Sequence, residues 1–171
     1  MTRRFLTETS GSSTVEFVIL FPVLMALFML AFELGLLGVR DVMLQRATDL
    51  TVRDLRLSTG NAPSYESIRD RICDRALIIP ECQSSLRIEM QPVPASDWAN
   101  IAGDAKCVDR SAEVKPANVF VPGQENELML IRICALFDPI FPTTGLAYRL
   151  PKNGQGEYGI QANAAFVTEP Q

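Results

Sequence analysis

Histidine is absent from all 171 residues. Its absence removes the usual general base, the Ser-His-Asp and Cys-His nucleophile pairs and the commonest metal ligand. Positive charge is also short. The net charge is -4 and the arginines are scattered rather than striped, so there is no general basic field to hold nucleic acid. Cysteine is limited to Cys73, Cys82, Cys107 and Cys134, and none of these forms a C-x-x-C pair. Zinc-knuckle and thioredoxin readings therefore fail on spacing. No nucleophile-base constellation stands out, and the expectation is a chain without enzymatic activity, cofactor or metal. The length leaves room for one modest domain plus an anchor.

Apolar residues, by contrast, are concentrated. From Phe17 to Phe32 every residue is apolar, counting Pro22, and after Glu33 the run resumes through Val39. As a helix this block measures about 35 Å, enough to cross a hydrocarbon core of about 30 Å with modest tilt. A removable secretory signal would carry an apolar region of about 7–15 residues followed by small residues. Here the block is longer, and Glu33, Leu36 and Leu37 occupy the places where small residues would be needed. The segment is expected to remain as a single membrane anchor in contact with lipid. Arg3 and Arg4 precede it and favour a cytoplasmic N-terminus. The region from about Arg40 onward would then lie outside the cytoplasm, where an even set of cysteines suits disulfides.

Two carboxylates and one proline interrupt the apolar character. Pro22 removes one backbone hydrogen bond, which a membrane helix tolerates. A carboxylate inside a bilayer costs on the order of 3 kcal/mol and usually marks a partner or a function. Glu33 fits either that description or a place at the outer interface. Glu16 also has a local use, since Ser13-Thr14-Val15-Glu16 fits a capping box with Ser13 as N-cap.

Beyond Val39 the pattern turns amphipathic, with Val39, Met43, Ala47, Leu50 and Leu57 assigned to one face. Gly60, Asn61 and Pro63 stop the helix. A second helix is expected from Ser64 to Leu77, with Ile68, Ile72 and Ala76 on one face. Leu86 to Gln91 alternates as a half-buried strand, Glu127 to Phe137 reads as a longer one, and Tyr158 to Val167 as a third. The fold class is α+β. A long transmembrane and spine helix is followed by a small head whose antiparallel sheet packs on the amphipathic half of that helix. Cys73 and Cys82 bracket a helix end and turn, which favours a local bridge and leaves Cys107 with Cys134, one of three possible pairings.

The N-terminal residues carry a further pattern. A short basic leader ends at Gly11; Ser12, Ser13, Thr14 and Val15 follow, then Glu16-Phe17 and the apolar helix. This arrangement resembles the processing site of type IV prepilins, and most of all the TadE/TadF-like minor pseudopilins of tight-adherence (Flp, type IVb) pili. Glu16-Phe17 stands where that family has Glu-Tyr. Phe21-Pro22, Glu33-Leu34-Gly35 and the closing Ala164 to Pro170 extend the likeness. The resemblance implies cleavage by a prepilin peptidase between Gly11 and Ser12, with residues 1–11 left as a cytoplasmic leader. Residues 12–60 would form the transmembrane and spine helix and residues 61–171 the extracytoplasmic head. It further implies that Glu16 pairs with the N-terminal amine of a neighbouring pilin subunit. The partners implied are the peptidase, other pilin or pseudopilin subunits and an inner-membrane assembly platform. The product would be a pilus that serves adhesion, surface attachment and biofilm. The chain would reside in the bacterial inner membrane and reach the cell surface after assembly.

Other readings were weighed. An unprocessed single-pass scaffold of a secretion or pilus-assembly complex would keep its leader. An anchored extracytoplasmic hydrolase lacks a nucleophile-base pair. Gly154 to Gly159 matches G-x-G-x-x-G, but the glycines lead into a strand where a dinucleotide site needs a helix, and Asn153-Gly154 reads as a hairpin turn. Trp98 and Asp97 fall in a Pro-rich loop. The topology and the cysteines together give a first prediction: protein exported natively should show no titratable thiol until reductant is added. Four reactive thiols in a thiol assay would overturn the topology or the disulfides.

Overall fold

The structure, a computed structural model, describes residues 12–57, 63–94, 96, 107, 119–142 and 157–169. Helix α1 runs unbroken from Ser12 to Leu57 and passes through Pro22 without ending. Its 46 residues make a rod about 70 Å long. The first half has little cover from the rest of the chain: Phe17, Leu20, Leu24 and Phe28 are all more than half exposed. The second half carries the head.

The face that α1 turns to the head differs from the expected one. Leu44, Ala47, Thr48, Thr51, Val52 and Leu55 are buried, whereas Val39, Leu50 and Leu57 are exposed and Met43 is only partly covered. Of the expected set only Ala47 is fully buried. The reason lies in the two threonines. Their hydroxyls donate back to the carbonyls of Leu44 and Ala47, each at 2.8 Å, so their polarity is satisfied within the helix and their methyl groups enter the core.

Helix α2 spans Tyr65–Arg75, capped by Ser64, whose side chain accepts from the Ser67 amide at 3.2 Å. Ile68, Ile72 and the C-cap residue Ala76 are buried as the 3.6-residue period requires. The helix ends two residues before the expected Leu77 and well before Pro80. Its last residue, Arg75, is turned onto α1, donating to Asp54 at 2.5 Å and Thr51 at 3.2 Å. A single further turn, α3 (Cys82–Ser85), was not anticipated; Glu81 precedes it in left-handed backbone, φ 48°. The Cys73–Cys82 disulfide, Cα atoms 5.6 Å apart, ties α2 to α3.

Strands β1 (Leu86–Pro92), β2 (Leu128–Phe137) and β3 (Tyr158–Val167) form one antiparallel sheet in the order β1-β2-β3. Ile133 lies opposite Ile88 on one side and Ala162 on the other, and Ile131 sits between Met90 and Ala164. Those residues, with Met129, Ile160 and Phe166, form the face that meets α1 and α2 in one core. The other face is covered more than an alternating, half-buried strand implies. Leu130, Cys134 and Leu136 are buried there, and Arg87 is only 6% exposed beside Glu89. Cys107 packs on Cys134 and Leu136 and is bonded to Cys134, Cα atoms 5.1 Å apart. Gly159 makes room for it, because a Cβ at that position would stand 3.3 Å from the Cys107 sulfur. The last glycine of the dinucleotide-like motif thus has a packing role. Gly154, Gln155 and Gly156 of that motif, with Asn153, Trp98, Asp97 and the leader 1–11, lie outside the described residues.

Ile133, with no exposed surface at the centre of the sheet, should cost about 2–5 kcal/mol of head stability when changed to alanine. Leu77→Ala, at an 80% exposed position, should change it by less than about 0.5 kcal/mol. Denaturant unfolding of the detergent-solubilised chain, followed by near-ultraviolet circular dichroism, checks the contrast.

The exposed anchor and its neck as the candidate functional site

The largest uncovered apolar surface among the described residues is the N-terminal half of α1. Val15 to Phe21, with Glu16 among them, is exposed, and exposure continues through most positions to Phe32. Phe17 and Phe21 stack one turn apart with ring centroids 5.2 Å from each other. Such a surface, far beyond the few hundred Å² that a soluble monomer leaves uncovered, demands lipid or other apolar helices around it. The helix is long and apolar enough to cross a membrane.

The expected site residues distribute along this rod. Ser12 is the first residue of α1, which places Ser13 inside the first turn and Glu16 beyond it. Gly11 lies outside the described residues. Glu16 is exposed on the apolar half, and Pro22 is exposed within it. Glu33 belongs to a different environment altogether. Though it follows Phe32 directly, it is only 4% exposed, because the head reaches down to it.

This neck brings together residues from three elements. Glu33 and Arg40 stand two turns apart on one side of α1. Phe137 comes from the end of β2, Tyr158 from the start of β3, and Asp138 and Ile140 from the segment after β2; these six line a small hollow. The Arg40 guanidinium lies 4.6 Å from the centre of the Phe137 ring, a cation–π contact. The Phe137 and Tyr158 rings meet edge to face at 6.0 Å. Burial holds the Arg40 guanidinium below its ordinary value, an effect the Glu33 charge offsets only in part, and the same charge disfavours ionisation of Tyr158. Burial, and after it Glu33, holds the Tyr158 phenol above the usual tyrosine value. Arg40, Phe137 and Tyr158 were not singled out as site residues by sequence. The one signal available was the seven-residue spacing of Glu33 and Arg40, which places them on one face.

Residues 11–53 match the TadE-like protein family. The anchor and most of the spine are similar to that family. The match begins at Gly11 and takes in Glu16, Phe17, Pro22, Glu33 and Arg40, but it stops before α1 ends and includes none of the sheet. No curated protein and no solved structure matches the chain. The match suggests a role in tight-adherence pili. The long apolar helix fits a single-pass membrane protein of such a system. Among the described residues no group of His, Cys, Asp and Glu side chains is arranged to hold a metal ion.

The Tyr158 hydroxyl is buried and has no hydrogen-bond partner among the described residues. Tyr158→Phe should therefore leave stability at neutral pH nearly unchanged or slightly raised. The wild-type head gains stability from Tyr158 being neutral, a gain complete below about pH 10 and lost as pH rises through the higher folded value. Unfolding midpoints measured from neutral to strongly alkaline pH should accordingly fall less steeply in the variant. An identical slope would remove Tyr158 from the neck's electrostatics.

Proposed function

We propose that the chain is a minor pilin or pseudopilin of a tight-adherence pilus, cut by a prepilin peptidase between Gly11 and Ser12 and then assembled through α1. The observation that carries this reading is the uncovered apolar half of α1, lying within the TadE-like match. A helix that is apolar on every side suits two environments in turn, first lipid and then a bundle of similar helices. Transfer from one to the other exposes no apolar surface to water. The head, residues 61–171, would stay outside the cytoplasm throughout, and residues 1–11 would stay inside as the discarded leader.

Glu16 is the residue on which assembly turns. A carboxylate in an apolar layer is stable only when paired, and cleavage after Gly11 would create a matching cation, the new amine of Ser12 on a neighbouring subunit. Other pilin subunits, the assembly platform and the peptidase are the partners of this reading. An unprocessed scaffold remains the second candidate, and leader loss separates the two.

Glu16→Gln keeps the shape of the side chain but removes its charge. The variant should insert, fold its head and be cleaved normally, yet be poorly recovered in sheared surface filaments or in cross-linked pilin complexes. Comparing cleaved fraction with filament recovery makes the test. Normal incorporation after normal cleavage would defeat the pairing role, and a leader retained in wild-type protein would favour the scaffold.

A further inference from the structure

We infer that the segment Asp138–Phe141, which follows β2, is a second membrane contact, seating Ile140 and Phe141 in the lipid interface on the head's side of the bilayer. The inference rests on the reading of α1 as a membrane span and extends it to the head. Phe32 ends the uninterrupted apolar run, and half of its surface is exposed. The Phe141 ring meets the Phe32 ring edge-on at 6.5 Å, so this part of the head lies at the level of the anchor's last apolar turn. Ile140, beside it, is 44% exposed although it follows a buried strand end.

The height of this contact follows from the helix. Thr14 to Phe32 covers about 27 Å along the axis, close to the roughly 30 Å of a hydrocarbon core. Phe32 and the ring against it then fall at the hydrocarbon boundary. Polarity changes at the same level. Phe28 and Phe32 lie on the anchor side, and the exposed Asp138 and partly exposed Arg40 form a charged collar on the head side, beside the buried Glu33. An apolar tip under a charged collar matches the profile of the interface, where apolar side chains dip into the acyl boundary and charged ones stay at headgroup level. The collar carries both signs, so the contact is apolar in origin and needs no anionic lipid. Continuity with the anchor selects lipid as the occupant; a neighbouring protein subunit on Ile140 is the competing outcome.

The test uses the full chain in phosphatidylcholine vesicles whose acyl chains carry bromine either near the headgroup or near the tail end. With Trp98→Phe as background, a single tryptophan is placed at Ile140→Trp, Phe28→Trp or Leu77→Trp. Leu77 follows Arg75, which is bonded to Asp54, a point about 33 Å further along α1 than Phe32. Tryptophan at 140 should lose emission more to shallow than to deep bromine, tryptophan at 28, about 6 Å deeper, to both, and tryptophan at 77 to neither. The loss at 140 should be the same when anionic phosphatidylglycerol is added. No loss at 140 while 28 is quenched would overturn the inference and leave the anchor reading intact. No loss at either would instead overturn the anchor reading itself.

Discussion

A continuous α-helix satisfies its own backbone hydrogen bonds wherever it lies, and that property lets α1 serve two surroundings with one uninterrupted chain. From Val15 to Phe32 no side chain needs a polar environment except Glu16, and the rest of the chain gives this stretch little cover. In its second half a stripe from Leu44 to Leu55 is sealed against β3 and α2. Nothing in the backbone marks the change; only the side chains do. Even Pro22, which has no amide proton to give to the Val18 carbonyl, leaves the helix intact where propensity alone would predict a break.

The neck is where the two regimes meet. Burying Glu33 would be unfavourable by itself, since a carboxylate withdrawn from water needs compensation. The Arg40 charge on the same helix face offsets part of that cost, and Arg40 is in turn held over the Phe137 ring. The head thereby takes hold of α1 at Glu33, about seven residues nearer the N-terminus than the apolar run alone implies. Counted from Phe17, the portion of α1 left for a bilayer shortens from about 35 Å to about 24 Å; counted from Thr14 it is about 27 Å, near the hydrocarbon thickness.

Much of the fold was legible because its periods are clean. Tyr158 to Val167 alternates without a charged residue or a proline, and β3 has those bounds. Ile68 and Ile72 announce the buried face of α2, and the long helix with its sheet-bearing head follows from the apolar block and the strands after it. The spine's inner face was misread because Thr48 and Thr51 count as polar until their hydroxyls are seen to bond within the helix. Leu50 and Leu57 were misassigned for the converse reason, since an apolar side chain beside a partly covered helix can stay in water. The neck was hidden because Glu33 and Arg40 acquire meaning only when the ends of β2 and β3 arrive beside them. Those ends are distant in sequence, and no local pattern encodes the meeting.

Under the proposed function the head must also remain fixed to a helix that is pulled or packed by neighbours, and the distribution of crosslinks suits that demand. Cys73–Cys82 lies within the α2–α3 unit, and Arg75 of the same unit grips Asp54 and Thr51 of α1. Cys107–Cys134 secures a distant segment to the sheet's central strand, on the face away from α1. Neither disulfide joins α1 to the head. Among the described residues the join instead consists of apolar contact of α1 with the sheet and α2, an ion pair at Asp54 and the collar at Glu33. Such a joint is strong along its whole length, because separating it requires exposing the entire stripe from Leu44 to Leu55 at once. The covalent links meanwhile keep the head from unravelling piece by piece. Strength at the joint is therefore cooperative, and it comes from side-chain packing rather than from a covalent link.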